Sequence, residues 1–417
     1  MLRRIRIQGF KSAVDVTLEL GRLNVVVGPN GAGKTNLLEA VSLLGCAASG
    51  RVDYDGFRAR GVRPGAPALY RTALAAETGR PRPITLEAAS DKATYEVSLE
   101  DPVKAKRGSS GNVVSWRFTE ETLTEGEEEV GTRTKRRGQI TNSDGKQQKV
   151  TPELDRGIGP LLGPIRGAGE IASLLRTLEG FAIYTPLTPI LRALIPDPVQ
   201  KSPVGLMGGG LAEGLFSLGR SRASAGGPGG RLQEEIRALI DWWAGIRFGT
   251  SSIRLARLAG ESGAKLDPHV TLQFQDRFMS SGSLLSAAEV NEGALHVLCL
   301  LLLLFHPATP RLLAIDNVDH ALHPQLARYF LERMQAIVLQ EPERPQLLLT
   351  AHNPLVLDAL SLGDDRVRLF IASRDKRSGA MQVRRFPYSE ALEKSKKEGM
   401  TLSRLWVSGA LGGVPNR

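Results

Sequence analysis

Residues 28–35 read GPNGAGKT and fit the pattern G-x-x-x-x-G-K-[ST]. The stretch before them, NVVVGPN, is β-branched and ends in turn formers, as a buried strand does. The stretch after them, NLLEAVSLLGCAA, has helical apolar spacing. Strand, glycine loop and helix in this order form a unit of a parallel α/β sheet. Each residue type has its own reason. Gly28, Gly31 and Gly33 let the backbone turn tightly and approach a phosphate without side-chain clash. After Pro29, which has no N–H to give, successive amides of Asn30–Gly31–Ala32–Gly33 and the following helix N-terminus, with Asn36 in its first turn, then face the anion. Lys34 is expected to reach the β- and γ-phosphates, and Thr35 to offer its hydroxyl to Mg²⁺.

A second segment completes the chemistry. LLAIDNVDHALHP, residues 312–324, begins with four apolar residues that place Asp316 at the end of a buried strand. A carboxylate there can hold Mg²⁺, alongside Thr35.

Around these two segments the chain changes character several times. IRIQGF, VDVTLEL, ITLEAA, ATYEVSLE and VVSWRFTEETL read as strands, and Leu69–Leu74 as a short helix. Residues 101–150 are charged and read as loop-rich. Their run TRTKRRG is expected to be a solvated hairpin edge. The sharper reading has Arg133, Lys135, Arg136 and Arg137 touching phosphates or a partner. Residues 152–262 read as mostly helical, with GEIASLLRTLEGF and LQEEIRALIDWWAGIRF both amphipathic, and 221–230 as a loop. HVTLQFQ reads as a strand. The apolar run Ala294–Phe305, the LLAID strand, the helix PQLARYFLERMQAIVL and the strand QLLLTAH restore α/β alternation. The expected division is therefore an ATP-site lobe with antiparallel strands at 1–150, a helical insert at 151–265 and a second lobe at 266–417.

Composition limits the alternatives. The charge balance, 54 Lys+Arg against 44 Asp+Glu, permits contact with nucleic acid or another acidic partner without requiring it. Cys46 and Cys299 are the two cysteines, and both sit in apolar segments. They read as buried small hydrophobes of a reducing cytoplasm, not as a disulfide scaffold. The opening MLRRIRIQGF has no apolar core of a signal peptide. The run Ala294–Phe305 contains His296 and is shorter than the about 20 residues a membrane span needs.

IQGFKSAVDVTLELGRLNVVVGPNGAGKTNLLEAVSLL resembles the N-terminal segment of ABC-type ATPase heads, and within these the SMC/RecF/OLD branch of AAA ATPases found in DNA repair and phage defence. Gly9-Phe10-Lys11-Ser12 and Asn36-Leu37-Leu38-Glu39-Ala40 carry much of the likeness. LLAIDNVDHALHP resembles a Walker B segment with its D-loop, and LLLTAHNP the segment carrying a switch histidine, His352. The resemblance implies an ABC-type head with an antiparallel β subdomain and a helical insert. It implies ATP and Mg²⁺ as cofactors, and a homodimer or higher homo-oligomer holding ATP between subunits. A signature segment of one subunit would then touch the γ-phosphate in the other. Asn291-Glu292-Gly293, ahead of the apolar run, is the candidate, with Asn291 where the family often has serine. The alternative is that Asn291 simply caps a helix.

Such heads commonly carry Glu after the Walker B aspartate, where it polarises the attacking water. Here that residue is Asn317, which orients water but cannot act as a base. Asp319 is the carboxylate that could substitute. The expectation is slow turnover, with ATP acting as a clamp or timer. OLD-type nucleases carry a further Toprim domain, yet 44 residues follow Ser373. A built-in nuclease is not expected; the resemblance implies a separate effector protein, in phage defence. The tail MTLSRLWVSGALGGVPNR either docks a partner or packs on its own head. The competing readings are a RecF-like DNA-repair ATPase and an ATP-dependent scaffold with negligible hydrolysis.

Overall fold

The computed structural model describes residues 1–74, 83–103, 115–220, 227–251, 269–280, 282–388 and 400–410. Two sheets enclose one helix. The first is antiparallel throughout. It is built from β1 (Arg4–Phe10), β2 (Ala13–Glu19), β4 (Ile84–Ala89), β5 (Ala93–Val103), β6 (Ser115–Glu125), β7 (Glu128–Thr134), β8 (Arg137–Thr141) and β9 (Gln147–Val150), in the order β2-β1-β4-β5-β6-β7-β8-β9. The second runs β10-β14-β15-β3-β16-β17. Its strands are β3 (Leu23–Val27), β10 (Ile183–Tyr184), β14 (Leu312–Ile315), β15 (Gln346–Thr350), β16 (Val367–Arg374) and β17 (Met381–Arg385). All neighbours in it are parallel except β16 and β17.

The parallel strands are covered on both faces, which explains why LNVVV, LLAI and QLLLT read as continuous apolar runs. Val26, Ala314 and Leu348 point into a core shared with α1 (Lys34–Ala48) and the antiparallel sheet. Val25, Val27, Leu313, Leu347 and Leu349 point into the opposite core with α8 (Glu292–Phe305) and α9 (Pro324–Gln340). The apolar run is thus a buried helix, and every residue from Ala294 to Phe305 is buried. Among the described residues no helix is long and apolar enough to cross a membrane. Cys46 and Cys299 are free and buried.

The middle of the chain departs from several expectations. Residues 101–150 are not loop-rich where described, because β6 to β9 extend the antiparallel sheet strand by strand. Arg133 is not available to phosphates. Its side chain is fully buried, 3.6 Å from the equally buried Glu121. Leu69–Leu74 is not a helix; a single 3-10 turn covers Pro67–Leu69. LQEEIRALIDWWAGIRF divides. Helix α7 (Pro228–Leu239) ends before Trp243, and Trp243–Ser251 forms β11 against β12 (His269–Asp276), with β13 (Leu285–Ser286) beyond it. Trp243 packs edge-on to Phe274 at 6.0 Å, so cross-strand packing overrides the helical pattern. Pro228–Gly230 begin α7, and 221–226 lie outside the described residues. Helices α2 (Tyr54–Arg58), α3 (Gly159–Arg166), α4 (Glu170–Gly180), α5 (Thr188–Leu191) and α6 (Leu211–Arg220) lie between α1 and α7.

The described part of the tail packs on its own head. Helix Leu402–Val407 buries Leu402 and Trp406. Ser403 binds Asp358, through its amide at 2.9 Å and its hydroxyl at 2.6 Å.

Candidate functional site

Strand β3 delivers the chain into the glycine loop, and the loop is tight at both ends. A methyl group on Gly28 (φ 152°) would lie 2.2 Å from the carbonyl oxygen of Ala372 on the neighbouring β16. Gly33 (φ 103°) leads into α1, and a methyl there would lie 2.8 Å from Ser12 Oγ. Neither position accepts a larger residue without backbone movement. Between them the Ala32 amide donates to Pro29 O at 3.2 Å, and Asn30 and Gly31 form the exposed crest.

Lys34 is buried, and its Nζ donates to Gly28 O at 2.8 Å and Pro29 O at 3.3 Å. Burial lowers its pKa, against the pull of Asp316 and Asp319. Thr35 Oγ1 donates to Asp316 Oδ2 at 3.0 Å. The two sequence segments, 281 positions apart, therefore meet in one place. Their donors are a hydroxyl and a carboxylate, both hard oxygens. That set suits Mg²⁺, which takes few protein ligands and completes its shell with phosphate oxygens and water.

A residue not anticipated from sequence holds this centre together. Thr350, at the end of β15, is fully buried. Its hydroxyl donates to Asp316 Oδ1 and accepts the Asn317 amide at 2.8 Å. Asn317 itself is in the left-handed region, φ 58°. Asp319 does not stand free as a base. It accepts the backbone amides of His352, at 3.0 Å, and Asn353. It thereby ties the segment after β14 to the segment after β15. The His352 residue is exposed. Partial desolvation of its ring, then the nearby Lys34, lower its pKa against the pull of Asp319 and Asp316.

A second network braces α1. Asn36 Nδ2 donates to Ser12 Oγ at 3.0 Å, and Asn36 Oδ1 accepts Arg63 Nη2 at 3.1 Å. Glu39 is fully buried and pairs with Lys11 and, at 2.7 Å, with Arg63 Nε. Burial pushes the Glu39 carboxyl up, but Arg63 and Lys11 together hold it below its usual range. The sequence segments around Lys11 and Glu39 are thus one contact seen twice. Arg63 lay in a stretch without any motif. It also feels Asp316, which helps hold its charge.

Asn291 caps α8, its Oδ1 accepting the Ala294 amide at 2.8 Å. Glu292 accepts from Thr188 Oγ1 at 3.0 Å. A methyl on Gly293 would lie 3.0 Å from Ala321 O, so this segment packs on the loop that follows Asp316. Among the described residues, no hydrogen bond or ion pair joins 291–293 to 28–36 within one chain.

Curated relatives share short stretches. The chain is 48% identical over 44 residues to an OLD nuclease of Thermus scotoductus, covering 11% of this chain and 8% of that protein. It is 36% identical over 115 residues to the DNA replication and repair protein RecF of Beutenbergia cavernae, covering 27% and 28%. It is 62% identical over 42 residues to the chromosome partition protein Smc of Desulfitobacterium hafniense, covering 10% and 4%. The chain therefore spans under a third of the length of these relatives. An Smc head solved with the C-winged helix domain of ScpA aligns over 94% of this chain and 99% of its own, with a TM-score of 0.46 at 12% identity. A family model described as "AAA domain, putative AbiEii toxin, Type IV TA system" matches residues 23–358. That span takes in the glycine loop, Asp316 and His352, and it places the chain in this AAA family, as an ABC-type ATPase of the SMC/RecF/OLD branch.

Proposed function

We propose that the chain binds ATP–Mg²⁺ at head-to-tail subunit interfaces and acts as a slow-turnover clamp or sensor that controls a separate effector, in phage defence. Residues 28–36 cradle the phosphates, with Lys34 on the β- and γ-phosphates. Thr35 and Asp316 hold the metal, which neutralises phosphate charge when bound. Asn291, Glu292 and Gly293 of the second subunit meet the γ-phosphate from the other side. The exposure of Asn291 and Glu292, with Gly293 half-buried, and the lack of a bond among the described residues to the same chain's glycine loop support this arrangement.

The observation that carries the slow-turnover reading is the pair Asn317 and Asp319. The residue after Asp316 is an amide, and the nearest alternative carboxylate is committed to the His352 and Asn353 amides. Asn317 can orient water through its side chain, and His352 can sense the γ-phosphate, but no free base faces the site from this loop. A missing base costs about 10²–10⁴ in rate. Steady-state ATP hydrolysis, with Lys34→Ala as the blank, tests this. Wild type is expected close to the blank while still binding ATP, and Asn317→Glu is expected to raise turnover by at least tenfold. Fast wild-type turnover that survives Asp319→Ala would overturn the reading.

A further inference from the structure

The turn joining β7 to β8 is built against its own residue preferences. Thr134 pairs with Arg137, so the loop is just Lys135-Arg136. Two-residue hairpin loops with a left-handed first residue favour Gly, Asn or Asp. Lys135 takes that conformation, φ 43°. A bulky residue is strained there and persists only where the surroundings enforce it.

The surroundings do enforce it. The Lys135 amide donates to Thr119 O at 2.6 Å. Below the turn, the buried Arg133 guanidinium donates to the carbonyls of Lys135 (3.0 Å), Glu153 (2.9 Å) and Arg156. Its charge is balanced by Glu121, which also accepts Tyr95 Oη at 3.1 Å and the Ile158 amide at 2.9 Å. The result is a rigid tip that presents Lys135, Arg136 and Arg137 to solvent. Among the described residues none of the three has an ion pair. Exposed carboxylates do lie near. Glu120 faces Thr134 by register, and Glu153 lies on the segment beneath, yet neither pairs with the turn. Lys146 and Lys149 on the β8–β9 hairpin are exposed as well.

From this geometry we infer that the β7–β8 tip is a phosphate-backbone contact for a nucleic-acid duplex. Fixed cations without acidic partners gain most from a polyanion, because they release its condensed counterions without first breaking ion pairs. The tip holds no aromatic side chain on which an unpaired base would stack, so the contact is to backbone and independent of sequence. An acidic protein segment is the competing partner. The inference goes beyond the ATP reading and does not rest on it.

The test is the triple variant Lys135→Gly, Arg136→Ala, Arg137→Ala of the full chain. Glycine suits the turn, so the hairpin should fold as before, and an unchanged melting curve checks this. Binding of a fluorescein-labelled 30-base-pair duplex is followed by anisotropy across salt concentration. The expected result is at least about tenfold weaker binding at low salt, and a salt slope shallower by about 2.7 for three lost phosphate contacts. Equal affinity and slope in the triple variant and wild type would overturn the inference. So would loss of polyglutamate binding in the triple variant with duplex binding unchanged.

Discussion

Asn317 occupies a left-handed conformation that Asn tolerates because its short polar side chain bonds locally. Glutamate there carries added strain of about 1 kcal/mol. The position thus favours the amide on backbone grounds as well as chemical ones, and Asn317→Glu should trade a little stability for turnover. His296 makes a different residue-scale prediction. It lies 6.0 Å from His320 in an edge-on contact, and among the described residues neither of its ring nitrogens meets a partner at full hydrogen-bond geometry. Burial, then His320, lowers its pKa from 6.5 to about 4. The unfolded chain therefore takes up a proton between these values and the folded chain does not. Stability should fall as pH drops from 6.5 to about 4, by up to about 3 kcal/mol. Urea titrations from pH 7 to 4.5 measure this. His296→Phe should flatten the dependence; an equal slope in that variant would assign it elsewhere.

At the scale of elements, helix Leu402–Val407 caps the 3-10 segment Pro354–Ala359, which directly follows His352 and Asn353. Trp406 fills the core there. Trp406→Ala should destabilise the protein by about 3–5 kcal/mol, and Ser403→Ala by about 1, read as shifts in the denaturation midpoint. If neither shifts it, this helix is not part of the folded unit. Much of the element pattern was legible beforehand. Strands β3, β14 and β15 follow directly from short apolar runs, α8 from a long one, and α1 and α9 from helical apolar spacing, whereas β10, β16 and β17 were not read as strands. Residues 101–150 and 243–251 misled because charge and helical spacing describe surfaces, whereas strand pairing is decided by neighbours far along the chain. Glu121 and Arg133 look like surface charges in sequence and form a buried pair in the fold. Thr350 was invisible because a strand-end threonine carries no pattern of its own, and Arg63 because its partner Glu39 lies in another segment.

At the scale of the molecule, the proposed function has the signature candidate of one subunit meet the glycine loop of another. ATP should therefore shift the protein toward a dimer. Light scattering coupled to size exclusion is expected to show this for wild type and not for Lys34→Ala. An Asn291→Ala, Gly293→Ala variant should bind ATP yet stay monomeric. Gly293→Ala alone brings a methyl to 3.0 Å from Ala321 O, so the folded state is checked alongside. Dimerisation by ATP in that double variant would place the interface elsewhere.

The glycine loop, the strand-end Asp316 and the apolar runs were determined by sequence alone, because local spacing specifies a strand, a tight turn and a buried helix without help from distant residues. Tertiary structure alone decided which side chains meet. It set Thr350 between Asp316 and Asn317, committed Asp319 to two backbone amides, buried Arg133 and left Lys135, Arg136 and Arg137 exposed. These outcomes depend on contacts between segments tens to hundreds of residues apart, where the cost of burying or pairing a polar group is set by what the fold brings beside it.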